Sequence, residues 1–268
     1  MTAATVAAFF ICFTANFSRF TAFAQEHPKE KLASFTTYFN QSDGGRCANI
    51  ALAAARLDGI ALQPYGELSF NAVVGKRTAE NGFQQAKIIS QGEFVLGIGG
   101  GVCQVSTTLY NAALLSGLAV TEFHPHSLAV AYVAPSRDAM VSSASDLRLY
   151  NPLSETVYFS VRVSQGALTV TLRGEKSART YEIESRTIET VSPPEPLVTE
   201  EAGVKEREGK DGVRSEAYLK TYHGGVLVGV KRLRADTYAP VRGIINKKTI
   251  NTTKKSSSNP CVFFEKML

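Results

Sequence analysis

Cys103 is the residue of this chain that is best placed to do covalent chemistry. Gly99, Gly100 and Gly101 come just before it, and the amphipathic stretch from Gln104 to Leu115 follows it. This stretch predicts a helix. A thiol at a helix N-terminus faces unpaired backbone N–H groups and the positive end of the helix dipole, and both favour the thiolate. Because the thiolate is the nucleophilic form of cysteine, the pattern predicts a cysteine nucleophile.

A histidine and an aspartate follow in the order that such a nucleophile needs. Cysteine catalysis requires a base that moves the proton and a group that orients this base. Of His124 and His126, His126 is the predicted base, because period-two counting places it on one face of an alternating strand from Leu128 to Val133. A surface position is the simpler interpretation of either histidine. Asp138 is predicted to orient the histidine, and Asp146 is the other candidate for that role.

The glycine run also predicts a site for a negatively charged oxygen. The Cys103 backbone N–H is a candidate to stabilise an oxyanion, together with the Gln104 side chain or with an N–H of Gly99, Gly100 or Gly101. Simpler interpretations stay open. A cysteine in an apolar helix is often only a small buried side chain, and an aspartate in a turn often only caps an N–H group.

The other cysteines do not indicate a disulfide scaffold. The chain has four cysteines, at positions 12, 47, 103 and 261. Without the first, an odd number remains, which is not typical of a disulfide framework. A disulfide between Cys47 and Cys103 is the alternative role for these two thiols. The sequence has no CxxC or HExxH spacing and no cofactor motif, so neither a metal nor an organic cofactor is predicted.

The first residues of the chain predict export. Residues 1–24 are rich in apolar side chains and end in Ala22-Phe23-Ala24, a small-x-small pattern of the kind that signal peptidase cleaves. An uncleaved N-terminal membrane anchor is the alternative. We therefore expect the protein in the cell wall or at the outer face of the cytoplasmic membrane, and nucleic acid is not an expected partner.

The length and charge predict one mid-sized domain and a small second one. The 268 residues carry a net charge of +5. Much of the positive charge lies in the segment 248–268, which is predicted to be a disordered basic tail. A solvated tail is the simpler interpretation of this charge, and attraction to anionic wall polymers or phospholipid is the other.

Hydrophobic periodicity predicts an α+β fold. In this fold the cysteine at the helix N-terminus packs on an antiparallel sheet, and a small all-β domain follows. Helices are predicted over 48–57, 78–86 and 104–115. Strands are predicted over 68–74, 118–123 and 128–133, and strand pairs over 88–96, 157–172 and 217–233. The predicted domains are 32–174 and 209–247, joined by a linker or connecting β segment over 175–208.

Residues 32–174 closely resemble the VanW-like family of bacterial envelope proteins. The resemblance is carried by Leu32–Phe39, Phe70–Thr78 and Gly97–Ala113, followed by His126-Ser127, Arg137-Asp138-Ala139 and Asp146-Leu147. Two positions depart from the family pattern. Phe123 replaces the usual Arg and Met140 replaces the usual Thr, and the loss of Arg puts a carboxylate-binding role for position 123 in doubt.

The resemblance implies a role at peptidoglycan, a link to vancomycin resistance and L,D-transpeptidase activity through Cys103. Ser127, which continues the family pattern after His126, is a candidate substrate-binding residue. The segment 209–247 resembles, more loosely, the wall-associated β module named for its five glycines. That resemblance implies adhesion to polymers containing N-acetylglucosamine, and a spacer role is the alternative.

The residues and the resemblance together predict an exported cysteine acyltransferase that acts on peptidoglycan stem peptides, with glycan strands as a further binding partner. Cys103 would attack the diamino acid carbonyl of a donor stem and expel D-Ala. The acyl group would then pass to the amine of a neighbouring stem, or to water. The alternative is a non-catalytic peptidoglycan-binding or resistance accessory protein, in which the glycine loop holds a stem peptide and Cys103 is merely buried.

Overall fold

The computed structural model describes residues 30–90 and 92–247. The predicted signal segment 1–24, Gln91 and the tail 248–268, with Cys12 and Cys261, lie outside the described residues. The helices of the described part are α1 (Gly44–Leu57), α2 (Phe70–Val74) and α3 (Val102–Ser116). No helix within 30–90 and 92–247 is long and apolar enough to cross a membrane.

The strands of the described residues form several small sheets. Their bounds are β1 (Glu30–Tyr38), β2 (Ala61–Leu62), β3 (Glu67–Ser69), β4 (Gln85–Ser90), β5 (Glu93–Ile98), β6 (Ala119–Glu122), β7 (Arg148–Tyr150), β8 (Val157–Ser164), β9 (Ala167–Gly174), β10 (Arg179–Val191), β11 (Leu197–Thr199), β12 (Gly212–His223), β13 (Val226–Tyr238) and β14 (Ile244–Asn246). The fold class is α+β, as the sequence predicts.

The main sheet has the antiparallel order β1-β9-β8-β2, and α1 and α3 pack against it. Alternation on β9 directs Leu168, Val170 and Leu172 into the core, where each side chain is fully buried. The turn before β9 uses Gln165 and Gly166, both with positive φ. Two residues with positive φ form the tight hairpin turn that matches strand twist, so the hairpin predicted over 157–172 is confirmed.

Helix α3 is the central element of the core. Nearly all its side chains are buried, including Leu109 and Tyr110. It ends at Gly117, whose φ of 86° and N–H bonds to the Ala113 and Leu114 carbonyls form a glycine C-cap. The helix predicted over 104–115 is therefore confirmed with slightly wider bounds.

A second sheet follows the main one along the chain. It has the order β10-β12-β13. The segment 175–208 contains β10, which belongs to this sheet, and β11, which pairs with β14 in a separate two-stranded sheet. The pair predicted over 217–233 is the β12–β13 pair, with Val213 opposite Tyr238. Strand β10 also contacts α3, so this sheet packs against the helix that carries Cys103.

Three predicted elements are wrong. The residues predicted as a strand over 128–133 form an irregular segment that pairs with no described strand. Leu128 is nevertheless buried, so its burial does not require a strand. Residues 78–86 form turns that lead into β4 rather than a helix, and only Phe83 and Ala86 of this stretch are buried. The predicted strand over 68–74 divides into β3 and α2, because the Ser69 side chain caps α2 by accepting the N–H of Ala72 at 3.0 Å.

The glycine run between β5 and α3 permits close backbone packing. A Cβ at Gly100 would lie 2.5 Å from the Lys87 carbonyl oxygen on β4. A Cβ at Gly101, where φ is 106°, would lie 3.0 Å from atoms of Arg46 and Ile50 on α1. Glycine is therefore required for the chain to enter α3 against β4 and α1.

We expect Gly100→Ala to destabilise the protein by about 1–3 kcal/mol, because the added methyl group overlaps backbone that cannot move freely. The free energy of unfolding in urea measures this effect. Gly44→Ala is the matched control, since a Cβ at Gly44, at the start of α1, meets nothing within 4 Å. Equal stability of the two variants would contradict the packing role of Gly100.

Candidate active site

Cys103 lies in the first turn of α3, beside a cavity. The N-cap is Gly101, which supplies no side-chain cap. The N–H groups of Val102 and Gln104 donate to the carbonyls of Gly99 and Gly101 at 3.1 and 2.9 Å. The Cys103 N–H lies between them and has no partner one turn earlier within the helix. It is one backbone donor at the start of the helix that lies beside the thiol.

His126 and Asp138 form a buried pair. Nδ1 of His126 lies 2.6 Å from Oδ2 of Asp138, and the His126 main-chain N–H donates to the same oxygen at 2.7 Å. His126 is 6% exposed and Asp138 is 1% exposed. Because Asp138 occupies Nδ1, Nε2 is the ring nitrogen that remains for another partner.

The Cys103 thiol donates to the Val141 carbonyl oxygen at 3.4 Å, and His126 interacts with it electrostatically. Burial by itself would raise the pKa of Cys103, but the hydrogen bond and charge of His126, with help from Arg77, lower it overall. Burial would lower the pKa of His126, but the hydrogen bonds to Asp138 and Cys103 raise it to about 9. Both shifts favour a thiolate–imidazolium pair.

Two residues of β13 that the sequence analysis did not identify also reach Asp138. The Tyr238 hydroxyl donates to Oδ1 at 2.5 Å, and Nη1 of Arg234 donates to the main-chain carbonyl at 2.5 Å. Arg234, Asp236 and Tyr238 alternate along the strand and share one face. This run of polar residues on one strand face was the signal that could have indicated them.

The Gln104 side chain is not available as an oxyanion donor. Its Nε2 donates to Thr37 Oγ1 at 2.9 Å and to the Tyr38 carbonyl at 3.0 Å, and its Oε1 accepts from Arg46 at 2.7 Å. Both amide hydrogens are thus directed at β1. This geometry corrects the predicted role of Gln104: its side chain joins α3 to α1 and β1.

Asp146 does not contact the histidine. Its Oδ1 accepts the N–H groups of Asn71 and Leu147, each at 2.8 Å, and its Oδ2 accepts the Ser69 hydroxyl at 2.5 Å. This carboxylate therefore organises the start of α2. Of the two aspartates that the sequence leaves open, Asp138 is the one placed beside His126.

Ser127 does not line the cavity. Its side chain is exposed, and its carbonyl accepts the Ala239 N–H at 2.8 Å. The predicted substrate contact through Ser127 therefore has no geometric support. Gly99, Gly100 and Gly101 do line the cavity, although the Gly100 carbonyl already accepts from Asn49 at 2.9 Å. Cys47 and Cys103 are both free thiols, which excludes the disulfide alternative.

A cavity of about 860 Å³ opens beside Cys103 and His126, and its charged lining is mainly basic. Its one acidic side chain, Asp43, accepts the N–H of Arg46 at 3.0 Å and so caps α1. Among the described residues, Lys176 and Lys220 form ion pairs, whereas none of the lysines that line the cavity does. The basic lining residues are Arg46, Lys76, Arg77, Lys87 and Lys210. This charge favours an anionic ligand.

The β4–β5 hairpin gives the cavity an apolar wall. The wall consists of Ile88, Ile89, Phe94 and Ile98. A mixture of apolar surface and a few charged groups is typical of a site for an extended organic ligand. Over residues 30–90 and 92–247, no group of His, Cys, Asp and Glu side chains is arranged to hold a metal ion.

The fold and the site together define an α+β protein in which a cysteine and a histidine line a basic cavity and a buried aspartate binds the histidine. Residues 45–173 match the family model described as VanW like protein. The chain is also 40% identical over 144 residues to the Uncharacterized protein YoaR of Bacillus subtilis (strain 168). Over that segment the chain is therefore similar to the VanW-like family.

The similarity to YoaR covers 53% of this chain and 48% of YoaR, so the chain spans about half the length of that relative. A solved structure titled "Crystal structure of HP0197-G5" aligns with 24% of this chain and 92% of its own, at 17% identity and a TM-score of 0.13.

We expect iodoacetamide to label Cys103 at a pH below the ordinary thiol pKa of about 8.5. The thiolate is lost as pH falls through the lowered pKa of Cys103, and the imidazolium is lost as pH rises through about 9. The ion pair therefore exists between these two limits. Mass spectrometry of the Cys103 peptide across a pH series measures the rate.

The Cys47 thiol, which lies 3.7 Å from the Asn40 carbonyl oxygen, is the internal reference for this experiment. His126→Gln should move the Cys103 profile to higher pH and leave that of Cys47 unchanged. An inert Cys103, or the same profile in both proteins, would contradict the ion pair.

Proposed function

We propose that this protein is an exported cell-wall enzyme that transfers acyl groups on peptidoglycan stem peptides through Cys103. The observation that carries the proposal is the buried His126–Asp138 pair on the same cavity as Cys103, whose pKa His126 lowers. Such a chain supplies a nucleophile, a base and a group that orients the base. The family match and the implied role at peptidoglycan support the choice of substrate.

In the first step, the Cys103 sulfur attacks the carbonyl carbon of the donor diamino acid and forms a C–S bond. The carbonyl electron pair moves to oxygen and then returns, so that the C–N bond to D-Ala breaks. The imidazolium of His126 gives its proton to the departing amine. The products are free D-Ala and a thioester at Cys103.

In the second step, the side-chain amine of a neighbouring stem attacks the thioester carbon. Neutral His126 accepts the proton of this amine, the C–S bond breaks and the Cys103 thiolate returns. The products are a crosslinked stem pair and the starting ion pair. Water in place of the amine would give hydrolysis by the same sequence of steps.

The start of α3 supports stabilisation of the oxyanion in both steps. The N–H groups of Val102 and Gln104 are already hydrogen-bonded, so the Cys103 N–H is the donor that we assign to the developing charge. The positive end of the helix dipole, equivalent to roughly half an elementary charge, acts in the same direction.

The basic cavity supports an anionic donor. A D-Ala leaving group ends in a carboxylate, one residue from the scissile bond. Arg77 lines the cavity, interacts electrostatically with Cys103 and is held by Asn71 Oδ1 at 2.7 Å. We assign the D-Ala carboxylate to Arg77, because a guanidinium binds a carboxylate with well-defined geometry.

The same cavity also favours a second candidate function, binding of an anionic stem peptide without catalysis. Its size and its basic lining do not depend on the reactivity of Cys103. In both cases we propose export through residues 1–24 and attachment to glycan strands through residues 209–247. Pull-down by purified sacculi tests the attachment.

Cys103→Ala should abolish release of D-Ala from a disaccharide tetrapeptide, because no other group would form the thioester. Mass spectrometry of the incubated substrate measures the loss of D-Ala and the formation of dimers. Cys47→Ala is the matched control and should behave as the unaltered protein does. Equal turnover by the Cys103→Ala protein would exclude this thiol, and binding without turnover by the unaltered protein would favour the non-catalytic function.

Arg77→Gln should raise KM for a donor with a free D-Ala carboxylate by about 10–100-fold, the range expected for loss of a charged hydrogen bond. A donor with a C-terminal carboxamide should show little change, and this comparison removes any effect of Arg77 on the thiolate. Lys176→Gln, which alters a lysine outside the cavity, is the control. An equal rise in KM for both donors would contradict carboxylate recognition.

A further inference from the structure

The carboxylate of Asp138 is enclosed by groups from two distant parts of the chain. One oxygen accepts two N–H groups of His126, and the other accepts the Tyr238 hydroxyl at 2.5 Å. Tyr238 is 1% exposed, as Asp138 is. A carboxylate this deeply buried stays ionised only when donors satisfy both oxygens, so Tyr238 has a function that His126 cannot supply.

Arg234 holds the same aspartate in a second way. Its Nη1 donates to the main-chain carbonyl of Asp138, and its Nη2 lies 3.6 Å from Oδ1 of that residue. Nη2 is buried and, among the described residues, has no hydrogen-bond partner. The guanidinium lies 4.8 Å from the ring centre of Phe123, and its Nε binds Asp236 at 2.6 Å. A positive charge is therefore fixed beside the carboxylate.

Further contacts bind the second sheet, β10-β12-β13, which we call the C-terminal sheet, to the segment that carries the histidine and the aspartate. The Ser136 hydroxyl lies 2.7 Å from the Ser215 hydroxyl on β12, and the Ser136 N–H donates to Tyr238 at 2.8 Å. The Ser185 hydroxyl on β10 donates to the Pro135 carbonyl at 2.6 Å. Hydrogen bonds from this sheet thus fix the position of the irregular segment between His126 and Asp138.

We infer that strand β13 completes the active site, with Tyr238 and Arg234 as positioning residues that keep Asp138 ionised and aligned with His126. This inference rests on the proposed function for its role in catalysis. It gives the C-terminal sheet a second role beside the attachment to glycan strands proposed above, since the thiolate then depends on a strand of that sheet.

The effect passes through three groups in turn. The Tyr238 hydroxyl fixes one oxygen of Asp138 and so keeps the other oxygen aligned with Nδ1 of His126. Without that hydroxyl the carboxylate is free to turn, the Asp138–His126 hydrogen bond weakens and the pKa of His126 falls. A less charged imidazole in turn raises the pKa of Cys103. Loss of a hydroxyl on β13 should therefore be measurable at a sulfur atom on α3.

Tyr238→Phe tests the inference, because it removes one oxygen and keeps the ring. The midpoint of the pH profile of Cys103 alkylation should shift to higher pH by about one unit. At a fixed pH below the midpoint, the alkylation rate should therefore fall about tenfold. Tyr222→Phe is the matched control. It also removes a hydroxyl that binds a glutamate on this sheet, Glu182 at 2.8 Å, but does so at an exposed position.

Arg234→Lys is the second variant, since it keeps the charge and loses the planar group that reaches the Asp138 carbonyl. It should shift the profile in the same direction, and it decides the test if Tyr238→Phe gives no soluble protein. Unaltered alkylation profiles in the folded variants would overturn the inference. Failure of D-Ala release with a shifted profile would instead count against the proposed function, so the two failures are distinguishable.

Discussion

The structure depends most on the buried carboxylate of Asp138. Transfer of an unpaired carboxylate from water to a protein interior costs several kcal/mol, so the fold must deliver hydrogen-bond donors to both of its oxygens. Those donors come from His126 and from Tyr238 on β13, with Arg234 beside them. The start of α3, the segment from His126 to Asp138 and strand β13 must therefore all be in place before the imidazole gains its proton and the thiol loses its own.

A second constraint is the fixed start of α3. The helix is buried against the main sheet and the C-terminal sheet, and its first turn alone faces the cavity. Gly100 and Gly101 allow the chain to approach β4 and α1 more closely than any side chain would permit. The thiol is thus held by a rigid element, while the His126 and Asp138 side chains come from an irregular segment that the C-terminal sheet holds in place.

Local patterns predicted the elements whose cause is local. The helix over 104–115 and the hairpin over 157–172 follow from apolar periodicity, a glycine stop and a turn with positive φ. The predictions failed where a distant contact decides the conformation. The segment 128–133 alternates like a strand but finds no pairing partner, and the apolar residues near 83 and 86 are buried by packing that the sequence does not reveal.

The sequence by itself determined that Cys103 begins a helix behind a glycine run and that a histidine and candidate aspartates follow, because these features depend on neighbours along the chain. Only the tertiary structure decided that Asp138 and not Asp146 contacts the histidine and that Gln104 is bound to β1. It alone brought Tyr238 within 2.5 Å of Asp138. The physical reason is that hydrogen-bond partners of a buried charge are chosen by three-dimensional proximity, which spacing along the sequence does not encode.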